Sequence, residues 1–312
     1  MPEQKKTILI TGSSGFIGRN IVSRLKEKNI LLTPGHRDLD LLSRSDVNRY
    51  FASHDIDTVI HCANFGGTRK KQAKGDLLEK NLRMFFNIAE NKNRFSRLIN
   101  LGSGAEYDKS RDLRNISEDK FGEQIPPDEY GFSKYLISRY IEQTENMYCL
   151  RLFGIFGKYE DYEFKFISNA IVKNLLHMPI TILQDVRFSW LPVDDFLPVL
   201  DYFLTHTPKK HVYNVTPPQT IDLVSIAHLI NSHADFKSEI CVVNEGFNLE
   251  YSGNNARLIE EMGEVSFTPM DTAIKDLMQY YRTILPTIDP GIIRRDPYAA
   301  SCKINPQKKP GN

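Results

Sequence analysis

The fold is decided by the segment Thr11-Gly12-Ser13-Ser14-Gly15-Phe16-Ile17-Gly18, which follows an apolar run at residues 7–10 and opens an amphipathic stretch at residues 16–28. Glycine is required in such a turn because a Cβ would block the tight bend, the approach of backbone N–H groups to a pyrophosphate and the packing of the helix on the strand. The N-terminus of the helix adds partial positive charge that favours phosphate. The context favours a dinucleotide-binding loop over an incidental glycine-rich turn. The expected cofactor contacts are Gly12, Ser14, Gly15, Phe16, Ile17 and Gly18.

Short apolar runs alternate with helix-length amphipathic segments from Thr7 to about Tyr148. This alternation is typical of repeated βαβ units around a parallel sheet. The predicted strands are residues 7–10, 30–33, 58–62, 97–101 and 147–152, and the predicted helices are residues 16–28, 45–54, 77–91 and 130–145. We therefore expect an α/β fold whose first domain, the dinucleotide-binding one, spans residues 1–157.

Beyond Gly157 the alternation weakens and prolines interrupt shorter helix and strand signals. This change indicates a smaller second domain over residues 158–285, from which a segment near residues 186–200 is expected to return to the first domain. Residues 286–312 are rich in proline and basic residues and show little apolar periodicity. They predict a loose tail.

The composition is that of an ordinary globular protein, with 41% hydrophobic and 25% charged residues among 312. A net charge of +1 without a basic stripe argues against a nucleic-acid partner. The four cysteines lie far apart, which favours reduced thiols, and we expect no metal site. No apolar run approaches the roughly 18 residues of a membrane helix, and the charged start lacks a signal-peptide core. We expect a cytoplasmic protein without a membrane partner.

The end of the second predicted strand bears on the choice of nicotinamide cofactor. NAD-binding loops usually carry an acid there for the ribose 2′-hydroxyl, whereas a basic side chain accommodates the 2′-phosphate of NADP. Here the strand runs into Thr33-Pro34-Gly35-His36-Arg37, which lacks an acid, and Arg37 with His36 is available to pair a phosphate. The sequence favours NADP, with NAD as the alternative. Asp40 and Leu41 are expected to meet the adenine.

Tyr130 and Lys134 stand four residues apart, on one face of a predicted helix. A phenol ionises near pH ~10, and a neighbouring cation favours its ionised form. Ser103 follows the predicted strand at residues 97–101, at the edge where parallel sheets bind ligands. We expect Ser103 to hydrogen-bond a substrate oxygen and Tyr130 to transfer its proton. Lys134 is expected to tune Tyr130 and to hold the cofactor ribose.

In order and spacing, these motifs resemble the extended short-chain dehydrogenase/reductase family, of the NAD-dependent epimerase/dehydratase type. The matching residues are Thr11 to Gly18, Ser103 with Tyr107, and Tyr130 with Lys134, supported by Val59-Ile60-His61-Cys62-Ala63, by Asn81 to Asn87 and by Val193-Asp194-Asp195. The resemblance implies a Rossmann doubly wound parallel sheet, a smaller C-terminal α/β substrate domain for a nucleotide-diphosphate sugar, and a homodimer. It also implies cofactor contacts from Ala63, Asn81 and Lys134.

Departures from the family pattern bear on the reaction. Family 4,6-dehydratases place Asp-Glu after the catalytic hydroxyl, whereas Ser103 is followed by Gly104-Ala105, and fucose-synthase-like epimerase/reductases have a cysteine at the position of Ala105. A nucleotide-sugar 4-ketoreductase needs only the residues present. The resemblance therefore favours NAD(P)H-dependent reduction of a 4-keto-6-deoxy sugar nucleotide in deoxysugar or surface-polysaccharide biosynthesis. A 4-epimerase with tightly bound NAD is the first alternative, and a non-catalytic cofactor-binding protein of the same fold is the second.

Substrate contacts are less well defined by the resemblance. An asparagine that touches the sugar nucleotide in the family is replaced by Gly154, and the arginine that binds its diphosphate falls on Phe188, one position from Arg187. A one-residue shift turns a strand side chain to the other face. Lys165 lies roughly where fucose-synthase-like enzymes carry a second proton-transfer group. The expected substrate-binding residues are Phe65, Gly66, Ser103, Gly104, Tyr130, Lys165 and Arg187.

Overall fold

The computed structural model describes residues 5–66 and 76–304. The strands are β1 Thr7–Thr11, β2 Ile30–Leu32, β3 Thr58–His61, β4 Arg97–Ser103, β5 Leu113–Ile116, β6 Met147–Leu152, β7 Gly154–Phe156, β8 Ile180–Asp185, β9 Arg187–Phe188, β10 Trp190–Pro192, β11 Val212–Val215, β12 Ile221–Asp222, β13 Ile240–Phe247 and β14 Tyr251–Gly253. The helices are α1 Phe16–Leu25, α2 Arg44–Ser53, α3 Leu77–Ala89, α4 Glu129–Ile141, α5 Phe166–Leu175, α6 Val193–Thr205, α7 Leu223–Ser232, α8 Ala256–Met262, α9 Met270–Ile284, α10 Pro290–Arg294 and α11 Pro297–Ser301. Among these described residues, none of the helices has the length and apolar character needed to cross a membrane.

The main sheet has the strand order β11-β6-β4-β3-β1-β2 within the described residues, and every pair in it is parallel. This confirms the predicted α/β fold with a doubly wound parallel sheet. The chain moves from β1 outward to β2 on one side and then returns to β3 on the other. Ligands of such sheets bind at the carboxyl ends of the strands where the order reverses. Here that point lies between β1 and β3, directly beside the glycine-rich segment.

Both faces of the main sheet are buried. Ile8 and Ile10 pack on one face with residues of α1 and α6, whereas Leu9 and Val59 pack on the other with residues of α2, α3 and α4. Successive side chains of a strand point to opposite faces, so an unbroken apolar run such as β1 supplies both cores. This explains why these strands are readable as continuous apolar runs in the sequence.

A second core joins the helices α5, α7 and α9 to the parallel pair of β8 and β13. Residues near the end of the described chain also belong to it, because Ile288, Ile293 and Tyr298 are buried in this cluster. The structure therefore differs from the predicted loose tail over residues 288–302, and residues 305–312 lie outside the described part. The prolines were interpreted as signs of irregular structure, but Pro290 and Pro297 occupy the first turns of α10 and α11. A missing backbone N–H costs nothing at that position of a helix.

A small sheet of order β12-β9-β14-β5 connects the two halves of the chain. In it, Tyr251 pairs with Leu113 on one side and with Phe188 on the other. The helix α6, which begins within the segment near residues 186–200, packs in the core on one face of the main sheet. The small sheet holds Tyr251 close to the carboxyl end of β4, where Ser103 lies.

Candidate active site

The glycine-rich segment forms a tight turn between β1 and α1. Gly12 has a left-handed φ of +67°, and a Cβ there would lie 2.7 Å from the backbone nitrogen of Ala63 at the end of β3. A Cβ at Gly18 would overlap the carbonyl oxygen of Gly12. The backbone N–H of Gly15 donates to that same carbonyl oxygen at 3.0 Å. Gly12 and Gly18 therefore each have a steric reason. The turn leaves the N-terminus of α1 facing the switch point. Ser14 is exposed, and Phe16 and Ile17 are half-buried.

The ends of β1 and β3 are joined by side chains. Thr11 Oγ1 and His61 Nδ1 lie 2.8 Å apart, and the backbone N–H of Ala63 donates to Thr11 Oγ1 at 3.4 Å. Burial, and secondarily the positive charge of Lys134, lower the pKa of His61 to about 3. His61 is thus uncharged at neutral pH, and its side chain connects the ends of the two strands.

Asn81 on α3 fixes the loop that follows β3. Its Oδ1 accepts from the backbone N–H of Phe65 at 2.8 Å, and its Nδ2 donates to the carbonyl oxygens of Phe65 at 3.1 Å and Leu77 at 2.9 Å. Gly66 has a left-handed φ of +73°. Because both ends of the Asn81 amide already bind main-chain atoms, the structure shows Asn81 shaping the loop, and its direct contact with a cofactor stays a prediction.

The residues predicted to select the cofactor lie beyond β2. His36 and Arg37 are exposed. Asp40 Oδ1 accepts from the backbone N–H of Leu42 at 3.0 Å and lies 3.7 Å from His36 Nδ1. The carbonyl oxygen of Leu41 accepts from the Asn87 amide at 2.8 Å. These contacts fold the segment back toward α3, and the roles of its side chains at the adenosine stay predictions.

The structure brings the ends of β4 and α4 together. Ser103 is the last residue of β4, Tyr130 lies in the first turn of α4, and Lys134 follows one turn later. The Lys134 ammonium is buried and donates to the carbonyl oxygen of Leu101 at 2.9 Å. A Cβ at Gly131 would lie 2.7 Å from the carbonyl oxygen of the residue two beyond Ser103. The start of α4 therefore packs directly on the turn after Ser103.

A buried polar network, which the sequence analysis missed, lies beneath Ser103. Glu106 Oε1 accepts from the backbone N–H of Ser103 at 2.9 Å, and Oε2 accepts from Ser138 at 2.6 Å and from Arg151 Nε at 2.5 Å. Arg151 also donates to the hydroxyl of Tyr107 at 2.8 Å. Glu106 and Arg151 have fully buried side chains. The available signal was the spacing Ser103-x-x-Glu106, which matches a capping box.

Tyr251 is a second residue of the site that the sequence analysis missed. Its hydroxyl lies 3.4 Å from Ser103 Oγ, and its ring packs against Phe153 and Phe188 at centroid distances of 5.2 and 5.7 Å. Desolvation raises the pKa of Tyr251 above its ordinary value, so the phenol is protonated at neutral pH. No local motif signals this contact, because the two hydroxyls are 148 positions apart in the chain.

Gly104, Lys165 and Arg187 were predicted to touch the substrate. A Cβ at Gly104 would lie 2.5 Å from ring carbons of Phe153, so this glycine makes room for aromatic rings. Lys165 is exposed just before α5, and the Arg187 guanidinium lies 4.7 Å from the ring centroid of Phe247. Alternation along β9 directs Arg187 away from the face that Phe188 presents to Tyr251. Substrate binding by these residues stays a prediction.

Comparisons with known proteins agree with this architecture. Residues 8–216 match the model of the NAD dependent epimerase/dehydratase family. The chain is 28% identical over 170 residues to GDP-L-colitose synthase of Yersinia pseudotuberculosis, covering 50% of this chain and 55%, about half, of that relative. It is 23% identical over 307 residues to GDP-L-fucose synthase of Dictyostelium discoideum, covering 89% of this chain and 95% of that one.

Solved structures show the same fold. A GDP-mannoheptose C4 reductase from Campylobacter jejuni with NADP bound superimposes with a TM-score of 0.79 at 18% identity, covering 90% of this chain and 99% of that one. A GDP-L-fucose synthetase from Naegleria fowleri bound to NADP gives a TM-score of 0.78 at 17% identity, covering 91% and 95%. The predicted resemblance to extended short-chain dehydrogenases/reductases is confirmed by the family match.

Proposed function

We propose that this chain, which belongs to the NAD dependent epimerase/dehydratase family, reduces a 4-keto-6-deoxy sugar nucleotide with NADPH. One observation carries the proposal: the start of α4, which carries Tyr130 and Lys134, packs on the end of β4, which carries Ser103, next to the glycine-lined switch point of the sheet. A hydroxyl, a phenol and an ammonium at that place are the groups that carbonyl reduction requires. The same arrangement counts against a non-catalytic protein of this fold.

The cradle fits a dinucleotide. Gly12 and Gly18 keep side-chain atoms out of the turn, and the N-terminus of α1 offers backbone N–H groups and partial positive charge to a pyrophosphate. NADPH, when bound, supplies the hydride. Arg37 and His36 are exposed and follow a strand end that lacks an acid. These features support binding of the 2′-phosphate of NADPH. The two similar structures described above have NADP bound, which is a further support.

The chain's own residues manage the proton and the developing charge. Ser103 donates to the carbonyl oxygen of the substrate and so stabilises negative charge as the carbonyl is reduced. Tyr130 delivers the proton that the new hydroxyl requires. Lys134, whose ammonium is held by the carbonyl oxygen of Leu101, lies one helical turn from Tyr130 and favours the phenolate that the transfer leaves behind.

The substrate class rests on the relatives and on the residues after Ser103. The relatives named above are synthases of GDP-linked sugars. Gly104 and Ala105 carry no acid or thiol, which disfavours dehydration and thiol-dependent epimerisation at neighbouring carbons. Reduction at a ketone needs neither group. A homodimer and a cytoplasmic location, both expected from the sequence, remain parts of the proposal.

Absorbance at the nicotinamide band tests the proposal directly. Purified protein is mixed with NADPH and, in turn, with GDP-, CDP-, dTDP- and UDP-linked 4-keto-6-deoxy sugars. A stoichiometric loss of absorbance with one of them supports the reductase and identifies its substrate. Interconversion of 4-epimeric sugar nucleotides without net oxidation would replace the proposal by an epimerase, and cofactor binding with neither reaction would replace it by a non-catalytic role.

A further inference from the structure

We infer that Tyr251 is a positioning residue: its hydroxyl donates to Ser103 Oγ and thereby orients the Ser103 hydroxyl to donate to the substrate carbonyl. The inference rests on the proposed function and goes beyond it, because it adds a third hydroxyl to the site. Tyr251 is brought there by β14, far from the segments that carry Ser103, Tyr130 and Lys134.

The argument begins with the hydrogen-bonding capacity of Ser103. A serine hydroxyl has one hydrogen to donate and two lone pairs that accept. The backbone N–H of Ala105 donates to Ser103 Oγ at 3.2 Å, and the Tyr251 hydroxyl lies 3.4 Å from the same atom. When the phenol of Tyr251 donates, both lone pairs are engaged. The hydrogen of Ser103 is then left for an acceptor in the cleft.

The direction of the bond to Tyr251 follows from the chemistry of the substrate. A ketone oxygen only accepts hydrogen bonds, so Ser103 must donate to it, and Tyr251 must then donate to Ser103. Desolvation keeps Tyr251 protonated because it raises the pKa of the phenol. A chain from Tyr251 through Ser103 to the carbonyl polarises each bond in turn and strengthens the last one as the oxygen gains charge.

The phenol is held in place by its surroundings. The main chain of Tyr251 is paired on both sides, with β5 and with β9. Its ring packs against Phe153, which is itself enclosed by two glycines: a Cβ at either Gly104 or Gly253 would lie 2.5 Å from carbons of the Phe153 ring. A Cβ at Gly104 would also lie 2.7 Å from the Tyr251 hydroxyl. The glycines thus permit the two hydroxyls to meet without reorganisation.

The test is a double-mutant cycle on Ser103→Ala and Tyr251→Phe, measured with the keto-sugar nucleotide found in the absorbance assay. Tyr251→Phe keeps the ring and removes the hydroxyl. We expect kcat to fall about tenfold while KM changes less than about twofold, because the lost interaction strengthens only in the transition state. In the Ser103→Ala background, the same change should lower kcat by less than about twofold, since Tyr251 acts through Ser103.

Tyr202→Phe is the matched control, because it also removes a phenol that is hydrogen-bonded to another side chain, that of Glu261. Tyr202 lies on α6 and not on the elements that carry Ser103, Tyr130 or Tyr251. It should leave kcat unchanged. The NADPH dissociation constant, measured by fluorescence, should be equal in the native protein and in all variants, which establishes that each variant is folded.

Three results would overturn the inference. Native kcat in Tyr251→Phe would show that the hydroxyl is idle. A rise in KM, or a full loss that persists in the Ser103→Ala background, would make Tyr251 a direct substrate ligand. Native protein that turns over nothing in the panel and interconverts no epimers would overturn the proposed function and this inference together, whereas the first two results leave the proposed function standing.

Discussion

At the scale of single residues, the phenol of Tyr130 is the group whose removal should separate binding from catalysis. Tyr130→Phe keeps the ring in the first turn of α4 and removes the proton donor. We expect kcat to fall by at least about 100-fold, in the range typical of lost general acid catalysis, with the NADPH dissociation constant unchanged. Tyr135→Phe, on the same helix and packed against Phe121 and Phe132, is the matched control. Activity in Tyr130→Phe equal to that of the control would remove Tyr130 from the mechanism.

Arg37 should determine which nicotinamide cofactor the protein uses. Its exposed side chain beyond β2 is available to the 2′-phosphate that distinguishes NADPH from NADH. Arg37→Ala is expected to raise the KM for NADPH about tenfold and that for NADH less than about twofold, as the loss of one charge-assisted contact implies. Arg44→Ala, which removes another exposed arginine that pairs with Glu90, should change neither. An equal loss for both cofactors would place the 2′-phosphate elsewhere.

At the scale of elements, the network under β4 should contribute to stability as well as to the placement of Ser103. Glu106→Gln leaves Arg151 as an uncompensated charge with a fully buried side chain. Breaking a buried pair in this way costs about 3–5 kcal/mol, which urea unfolding would measure. Glu123→Gln, at an exposed pair with Lys120, should cost much less, because exposed ion pairs contribute little to stability. Replacing both partners, as Glu106→Gln with Arg151→Met, should recover part of the lost free energy of unfolding. Equal losses for Glu106→Gln and Glu123→Gln would contradict the argument that the buried pair stabilises the fold.

Elements of the main sheet could be predicted from the sequence, whereas the elements that complete the site could not. β1, β3 and β6 are apolar runs buried on both faces, so the sequence alone indicates them. β9 and β14 have two and three residues, and their existence depends on partners far along the chain. The contact of Tyr251 with Ser103 follows from that pairing. Glu106 was missed for a different reason. From its sequence, the short polar turn that contains it is expected to be exposed to solvent, and its burial follows only from the packing around β4.

At the scale of the whole molecule, the limits of prediction lie in the second core. Weakened alternation predicts a division after Gly157, which stays a prediction, whereas the burial of residues beyond position 286 could not be predicted from the sequence. Ile288, Ile293 and Tyr298 lie five residues apart, with short helices and turns between them, and this spacing matches neither the 3.6-residue period of a helix nor the 2-residue period of a strand. Their burial depends on a surface that α5 and α9 create only after folding. Composition alone therefore made a packed segment resemble a loose one.

The second core also contains a buried carboxyl that should make the stability of the molecule depend on pH. Glu160 is buried and accepts from Ser168 Oγ at 2.5 Å. Burial raises the pKa of Glu160 to about 7, and the negative charge of Asp161 adds to this rise. The nearby positive charge of Lys165 opposes the rise only in part. A carboxyl with a raised pKa binds its proton more tightly in the folded state. Its contribution to stability is therefore complete below about pH 4.3, the value for an unfolded chain, and is lost as the pH rises to about 7.

Glu160→Gln should remove this dependence, since an amide stays neutral at every pH. The free energy of unfolding of the variant, relative to that of the native protein, should rise by on the order of 3 kcal/mol between pH 4.5 and pH 8. Urea unfolding at half-unit steps of pH measures the difference, in which the titration of all shared groups cancels. Glu27→Gln, at an exposed carboxylate on the first domain, should give a difference that is flat with pH. A flat difference for Glu160→Gln as well would mean that the carboxyl is charged in the folded protein, and that Lys165 and Ser168 stabilise it more than burial destabilises it.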